Sequence, residues 1–330
     1  MGSQQTMNTA VFETHWHELP AYVLENELLR TVIVPELGAK IAALTDKRSQ
    51  LEWLVGPGSR PVRRVTYGAW WHEQDMAGWD EMFPTIVACD YPGPGARQGQ
   101  PLPDHGEVWS LPWQVDEVGA GHLTLSVMGR ALPYRLERTA DYGAANALRL
   151  RYRVTNLGEV AMPYLWAAHP QFTCGLDGQI ILPPQVTQVC NTIPETWGWG
   201  PPETCFGWPE AVALDGSRVR LDRVGPPTLG RGRKFFVLAD VHIGWAALLR
   251  TSAGNWLRME WNAQQLPYFG LWIDEGALNH ESVAAPEPST GFYDSLAVAW
   301  QKQRVTVLPP GASHEWQLWV HFGVDGNPLP

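Results

Sequence analysis

The sequence predicts an all-β protein built as a large antiparallel sandwich or barrel. Three observations carry this. Apolar and polar residues alternate with period two along several stretches, turn residues are abundant (28 Pro and 32 Gly in 330 residues), and convincing helical periodicity is scarce. In "ALRLRYRVTN", Leu148, Leu150, Tyr152 and Val154 alternate with Arg149, Arg151 and Arg153, as expected of a strand with one dry and one wet face.

The elements follow in chain order. "RTVIVPELGAKIAALTD" reads as two strands broken at Pro35 and Gly38, since proline cannot donate to a ladder and glycine permits the turn. "WWHEQDMAGWDEMF" has room for a turn or two of helix, interrupted by Gly78. "HLTLSVMG", "QRVTVLPPG" and the more aromatic "EWQLWVHF" alternate as strands. Residues 175 to 232, rich in Pro, Gly and Trp, read as loops and short hairpins of the same unit. No flexible linker divides the chain, so one domain over 1–330 is expected, with residues 1–10 disordered or left over from cloning.

Composition limits the function. Charged residues make up 18% and the net charge is -10, leaving no basic excess to neutralise phosphates, so no nucleic-acid partner is expected. The longest apolar runs are far too short to span a bilayer, and the N-terminal stretch has no basic region followed by an apolar one, so no membrane partner and a cytoplasmic location are expected. Cys89, Cys174, Cys190 and Cys205 form no CxxC pair and no histidine stands at metal-finger spacing, which reads as free, buried thiols and no metal. The 18 Trp are expected mostly in the core, with a few free to stack on a sugar ring.

Three titratable groups sit at the ends of apolar runs, flanked by Pro or Gly: His105 in "PLPDHGEVW", His169 in "YLWAAHPQF" and Glu287 in "VAAPEPSTG". Such positions present a side chain on a defined backbone. Taken singly, each has a duller explanation, because a lone histidine by a strand is commonly structural and a lone glutamate solvated.

Read in order, the surrounding segments resemble the aldose 1-epimerase (galactose mutarotase-like) superfamily. The resemblance runs through "LENELLRTVIVPELGAKIAALTDKRSQLEWL", "AGWDEMFPT", "DHGEVWSLPW", "RYRVTNLGEVAMPYLWAAHPQF" and "VAAPEPSTGFYDSL", from about residue 20 to 320. It implies an antiparallel β-supersandwich and an isomerase that interconverts sugar anomers by ring opening, without a cofactor. Carried over by motif, Glu287 would take the proton from the C1 hydroxyl, His169 would protonate the ring oxygen, and His105 would help hold the sugar. The family's Asn-Arg pair upstream of the first histidine is absent. Arg63 and Arg64 stand nearest to its place, and Trp70, Trp71, His72 and Asp80 are expected to replace its sugar contacts. Asp274 and Glu275 are placed with the substrate-binding group, although a polar turn after a strand would also explain them. "NTIPETWGWGPPETCFGWPE" has no counterpart in that pattern, and a basic cluster for a phosphorylated sugar would have to come from Arg231, Arg233 and Lys234. Two alternatives stay open: a sugar-binding protein without turnover, or another sugar isomerase, epimerase or lyase on the same fold.

Overall fold

The structure is a computed structural model that describes residues 9–193 and 199–330. Two large antiparallel sheets face each other. The first has thirteen strands and runs, edge to edge, Ala10–Trp16, Leu19–Glu25, Leu29–Val34, Lys40–Asp46, Trp79–Met82, Ala167–Pro170, Ser282–Ser289, Tyr268–Glu275, Arg231–Val237, Gln188–Asn191 and Cys205–Gly207, with Leu51–Glu52 and Phe172–Thr173 paired alongside. The second has eight, in the order Gly178–Ile181, Trp245–Arg250, Asn255–Trp261, Ser313–Val324, Ala147–Asn156, Tyr134–Ala144, His122–Met128 and Gln114–Gly119. Among the described residues the one α-helix is the short Leu296–Gln301, capped by the Ser295 hydroxyl. Among the described residues no helix is long and apolar enough to cross a membrane.

Local reasons are visible in the elements. Pro35–Leu37 forms a 3-10 turn between Leu29–Val34 and Lys40–Asp46, closed by Gly38 at φ +70°. The anticipated helix in "WWHEQDMAGWDEMF" is a single 3-10 turn, Trp71–Glu73, followed by the strand Trp79–Met82. The first strand already includes Ala10, so the expectation of disorder over 1–10 fails there; residues 1–8 lie outside the described residues. Free thiols were expected throughout, but Cys190 and Cys205 are joined in a disulfide, while Cys89 and Cys174 are free. Strand pairing brings the two together: Gln188–Asn191 pairs with Cys205–Gly207 so that Cys190 lies opposite Cys205, a proximity that spacing in the sequence cannot show.

The core lies between the sheets. Leu148, Leu150, Tyr152 and Val154 are buried, as their alternation requires, and pack with Leu318, Val320 and Phe322 against residues of the first sheet such as Ile41, Trp79 and Ile273. Inside this apolar layer sits one ion pair. Glu81 and Arg138 are both fully buried, with Arg138 Nη1 donating to Glu81 Oε1 at 2.8 Å. Tyr152 donates to the same oxygen at 2.8 Å and Trp166 Nε1 to the other at 3.0 Å, while Arg138 Nη2 reaches the Ala39 carbonyl. Glu81 thus belongs to the first sheet and takes hydrogen bonds from two strands of the second. Removing one partner of a buried pair leaves an uncompensated charge and costs about 3–5 kcal/mol. Arg138→Met is therefore expected to lose stability on that scale in urea unfolding. Adding Glu81→Gln, which removes the uncompensated charge and keeps an acceptor for one of Tyr152 and Trp166, should restore part of the loss. An Arg138→Met protein as stable as wild type would show that the pair contributes little.

Candidate active site

Side chains of paired residues in adjacent antiparallel strands point to the same face. His169 pairs with Asp80, Ile41 pairs with Trp79, and Gly270 pairs with both Glu287 and Phe236. A row therefore crosses the outer face of the first sheet, from Lys40 through Asp80 and His169 to Glu287, Gly270 and Phe236. Their chain neighbours Glu81 and Ala168 point the other way, into the core.

Glu287 lies in Ser282–Ser289, every residue of which is buried. The flanking prolines are unusual within a sheet interior. On the side of Ala167–Pro170 and Phe172–Thr173, the ladder skips from Ala167–Ser289 to Phe172–Ala284. Pro286 and Pro288 fall in that gap, so their missing N–H groups remove no ladder bond. Opposite Glu287, a Cβ on Gly270 would stand 3.1 Å from Glu287 Oε2, so the absence of a side chain there makes room for the carboxylate.

The polar contacts are direct. His169 Nδ1 lies 3.1 Å from Glu287 Oε1, and Lys234 Nζ donates to Glu287 Oε2. Lys234 Nζ is also 3.3 Å from Asp294 Oδ1, and Asp294 Oδ2 accepts from Thr192 Oγ1 at 3.2 Å. Burial alone would raise the Glu287 pKa, but Lys234 and then His169 outweigh it and hold the carboxyl below its usual range. Burial pushes His169 below the usual histidine value against the opposing pull of Glu287. Burial would likewise lower Lys234, yet Asp294 and Glu287 raise it and keep it an ammonium. An ionised carboxylate only accepts, so the neutral imidazole carries its proton on Nδ1, toward Glu287. His169 Nε2 is buried and has no hydrogen-bond partner.

Two rings close over this group. Trp71 stacks on His105 with centroids 4.7 Å apart and meets His169 edge-on at 4.8 Å; the two histidines are 5.4 Å apart. His105 has φ +58°, an uncommon backbone for a residue with a side chain. Its loop is pinned by Gly106, where any Cβ would fall 2.1 Å from the Phe83 carbonyl oxygen. Asp104 Oδ2 meets His105 Nδ1 at 3.0 Å and accepts from the Trp71 backbone N–H at 3.1 Å. Burial pushes Asp104 up, but its bond to His105 and the other contacts hold it below the usual carboxylate range.

Glu287, His169 and His105 thus line one cavity of about 200 Å³, together with Trp70, Trp71, His72, Asp104, Lys234, Trp272 and Asp294. Trp70, 53% exposed, and His72 form the rim. Asp80, Asp274 and Glu275, expected to touch substrate, do not line this cavity. Asp80 is buried beneath Trp71, accepting from its Nε1 at 2.9 Å and from Lys40 Nζ at 2.7 Å. Asp274 caps the turn that follows it, accepting from the backbone N–H groups of Ala277, Leu278 and Asn279. Glu275 points to the opposite face and pairs with Arg231 and Arg233. Arg63 and Arg64 are exposed, and Arg64 pairs with Glu36. Larger clefts of about 620 and 810 Å³ elsewhere contain no histidine. Among the described residues, no group of three or more His, Cys, Asp or Glu side chains could hold a metal ion.

Asp104 and Asp294 were not singled out from sequence, and Lys234 only as part of a basic cluster for a phosphorylated sugar. Alternation in "GRGRKFFV" offered a signal for Lys234, since it sends Arg233 and Lys234 to opposite faces.

No family model and no curated protein matches the chain. Solved structures do. A galactose mutarotase-like protein from Lactobacillus casei is 18% identical, covers 92% of this chain and 100% of its own, and superposes with a TM-score of 0.65. A galactose mutarotase related enzyme from Lactobacillus acidophilus is 14% identical over 94% and 99%, with a TM-score of 0.67. A galactose mutarotase-like protein from Clostridium acetobutylicum is 14% identical over 96% and 99%, with a TM-score of 0.66. The chain therefore has the galactose mutarotase-like fold, as the sequence resemblance implied.

Proposed function

We propose that the protein interconverts the anomers of an aldose by general acid–base opening of the sugar ring. The observation that carries this reading is the contact between a buried carboxylate and a buried imidazole, Glu287 and His169, in a cavity roofed by aromatic rings. Opening a cyclic hemiacetal requires a proton to leave O1 while another reaches the ring oxygen. Both oxygens are bonded to the same carbon, so an acid and a base that touch each other can serve both. Rotation about C1–C2 in the open aldehyde then lets the ring close on either face.

In this reading Glu287, an ionised carboxylate, accepts the O1 proton. His169 in its charged form donates to the ring oxygen from Nε2, the nitrogen without a partner. The shared hydrogen bond couples the two steps. Once Glu287 is neutralised, the imidazolium loses its counter-charge and becomes a stronger acid at the moment the ring oxygen needs a proton. His105, held by Asp104, positions the sugar, and Trp70 offers a flat apolar face at the rim for a sugar ring.

One observation favours a second reading, a sugar-binding protein without turnover. Both oxygens of Glu287 are already engaged, by His169 and by Lys234. NMR saturation transfer across a panel of aldoses separates the two readings, because it reports anomer exchange directly. Glu287→Gln keeps shape and an acceptor but loses basicity. It is expected to cut exchange by about 10²–10⁴-fold while still binding sugar. A variant that folds and exchanges anomers near the wild-type rate removes Glu287 from the role of base.

The pH profile tests the direction of proton flow. The base form of Glu287 is lost as pH falls through a value below the usual carboxylate range. The acid form of His169 is lost as pH rises through a value below the usual 6.5. The exchange rate should therefore peak on the acid side of neutral and decline as pH rises toward 7. A rate that instead rises with pH across the histidine midpoint reverses the roles and makes His169 Nε2 the acceptor at O1.

A further inference from the structure

Asp294, at the cavity wall, has an unfilled hydrogen-bonding position. It lines the cavity with Glu287 and His169, is more than nine-tenths buried, and is fixed on both sides. Its backbone carbonyl accepts from the N–H groups of Ile86 and Val87, and its Oδ2 from Thr192. Its Oδ1 is buried and accepts no hydrogen bond. Lys234 Nζ lies 3.3 Å from that oxygen, close enough for an ion pair but not aligned for a bond. Leaving a buried carboxylate oxygen without a donor is costly unless something fills the position.

We propose that Asp294 and Lys234 form a hydroxyl clamp for the substrate: a sugar hydroxyl bridges them, donating to Asp294 Oδ1 and accepting from Lys234 Nζ, and the pair restricts the cavity to uncharged sugars. The inference rests on the sugar-binding part of the function proposed above. A hydroxyl is both donor and acceptor, so it satisfies both members of an ion pair at once. A phosphate or carboxylate can only accept at neutral pH, and would meet Asp294 with like charge. Lys234 cannot compensate for it, because it already faces two carboxylates, Glu287 and Asp294.

Among the described residues the surroundings supply no second lysine or arginine. Lys234 is the one Lys or Arg among the described residues that line the cavity. Arg231 and Arg233, the cluster that a phosphorylated substrate would need, are both held by Glu275. Residues 194–198, "PETWG", lie outside the described residues and contain neither Lys nor Arg.

The test is a ligand-observed NMR titration of wild type, Asp294→Asn and Asp294→Ala with glucose, galactose, mannose and xylose, and with the 6-phosphates of the three hexoses. Wild type is expected to bind at least one neutral sugar, and its 6-phosphate at least tenfold more weakly. Asp294→Asn should weaken the neutral sugar by about ten- to a hundredfold, the range for losing a hydrogen bond to a charged group. It should also narrow the gap to the phosphate, since one repulsive carboxylate is gone; a purely structural role would weaken both ligands alike. Asp294→Ala should weaken the neutral sugar at least as much, provided its near-UV circular dichroism matches wild type. A 6-phosphate that binds as tightly as its parent sugar, or an Asp294→Asn protein with wild-type affinity, overturns the clamp. Anomer exchange recorded on the same samples keeps the two ideas apart. Selective binding without exchange defeats only the proposed reaction, exchange without selectivity defeats only the clamp, and no binding of any sugar defeats both.

Discussion

The Glu81–Arg138 pair is the constraint on which the site depends. It ties the four-residue strand Trp79–Met82 to the opposite sheet through Arg138 and Tyr152. In that strand neighbouring residues face opposite ways. Glu81 enters the core, and Asp80 enters the row that carries His169. The pairing sets Glu81 against Ala168 and Asp80 against His169. Sliding this strand by one residue would swap the faces, bringing Asp80 toward the core and Glu81 toward the cavity. The three hydrogen bonds that the Glu81 side chain accepts inside the core oppose such a slip, since each would be left unmade.

A second balance operates on the cavity face. Burial there opposes charge on Lys40, Asp104, His169, Lys234 and Glu287. For Lys40, Lys234, Glu287 and Asp104, close partners of opposite charge outweigh it; for His169 they do not. The difference is one of number. Lys40 and Lys234 each face two carboxylates, whereas His169 faces one, which it shares with Lys234. A charged lysine next to the histidine works in the same direction as burial. The result is an imidazole that gives up its proton readily beside a carboxylate that stays ionised.

Much of this was legible in the sequence, for reasons that differ by residue. Alternation over 147–154 reflects a strand half buried on a core, so its period shows directly in residue type. Glu287, His169 and His105 were picked out by the order of the segments that resemble the mutarotase-like pattern, since the flanking Pro and Gly alone left each with a duller explanation, and the three do line one cavity. The pairing of Cys190 with Cys205 was not legible, because it depends on which strands become neighbours. Asp80, Asp274 and Glu275 misled for a related reason. Each is an acidic residue close to the cavity in the chain, but Asp80 lies under Trp71, Asp274 caps a backbone turn, and Glu275 faces the other side of its strand. Lys234 sat in what looked like a solvated basic run; only its alternation with Arg233 separated a buried cavity residue from its neighbour.

The site divides between rigid and looped supports. Glu287, His169 and Lys234 stand on strands inside a continuous ladder, where a side chain's origin is fixed by hydrogen bonds on the backbone. His105, Asp104, Trp70 and His72, by contrast, lie on connecting segments. Such segments tolerate change in sequence and length more readily than the strands that carry them. The departure from the mutarotase-like pattern, the missing Asn-Arg element, falls on those connections. The groups proposed to move protons fall on the ladder. In the proposed reading a change in the connections would alter which sugar fits while leaving Glu287 and His169 in register, whereas a shift in the ladder would separate them. In the proposed reading the sheet therefore holds the acid, the base and the lysine of the clamp, and the loops supply the remaining contacts to the sugar.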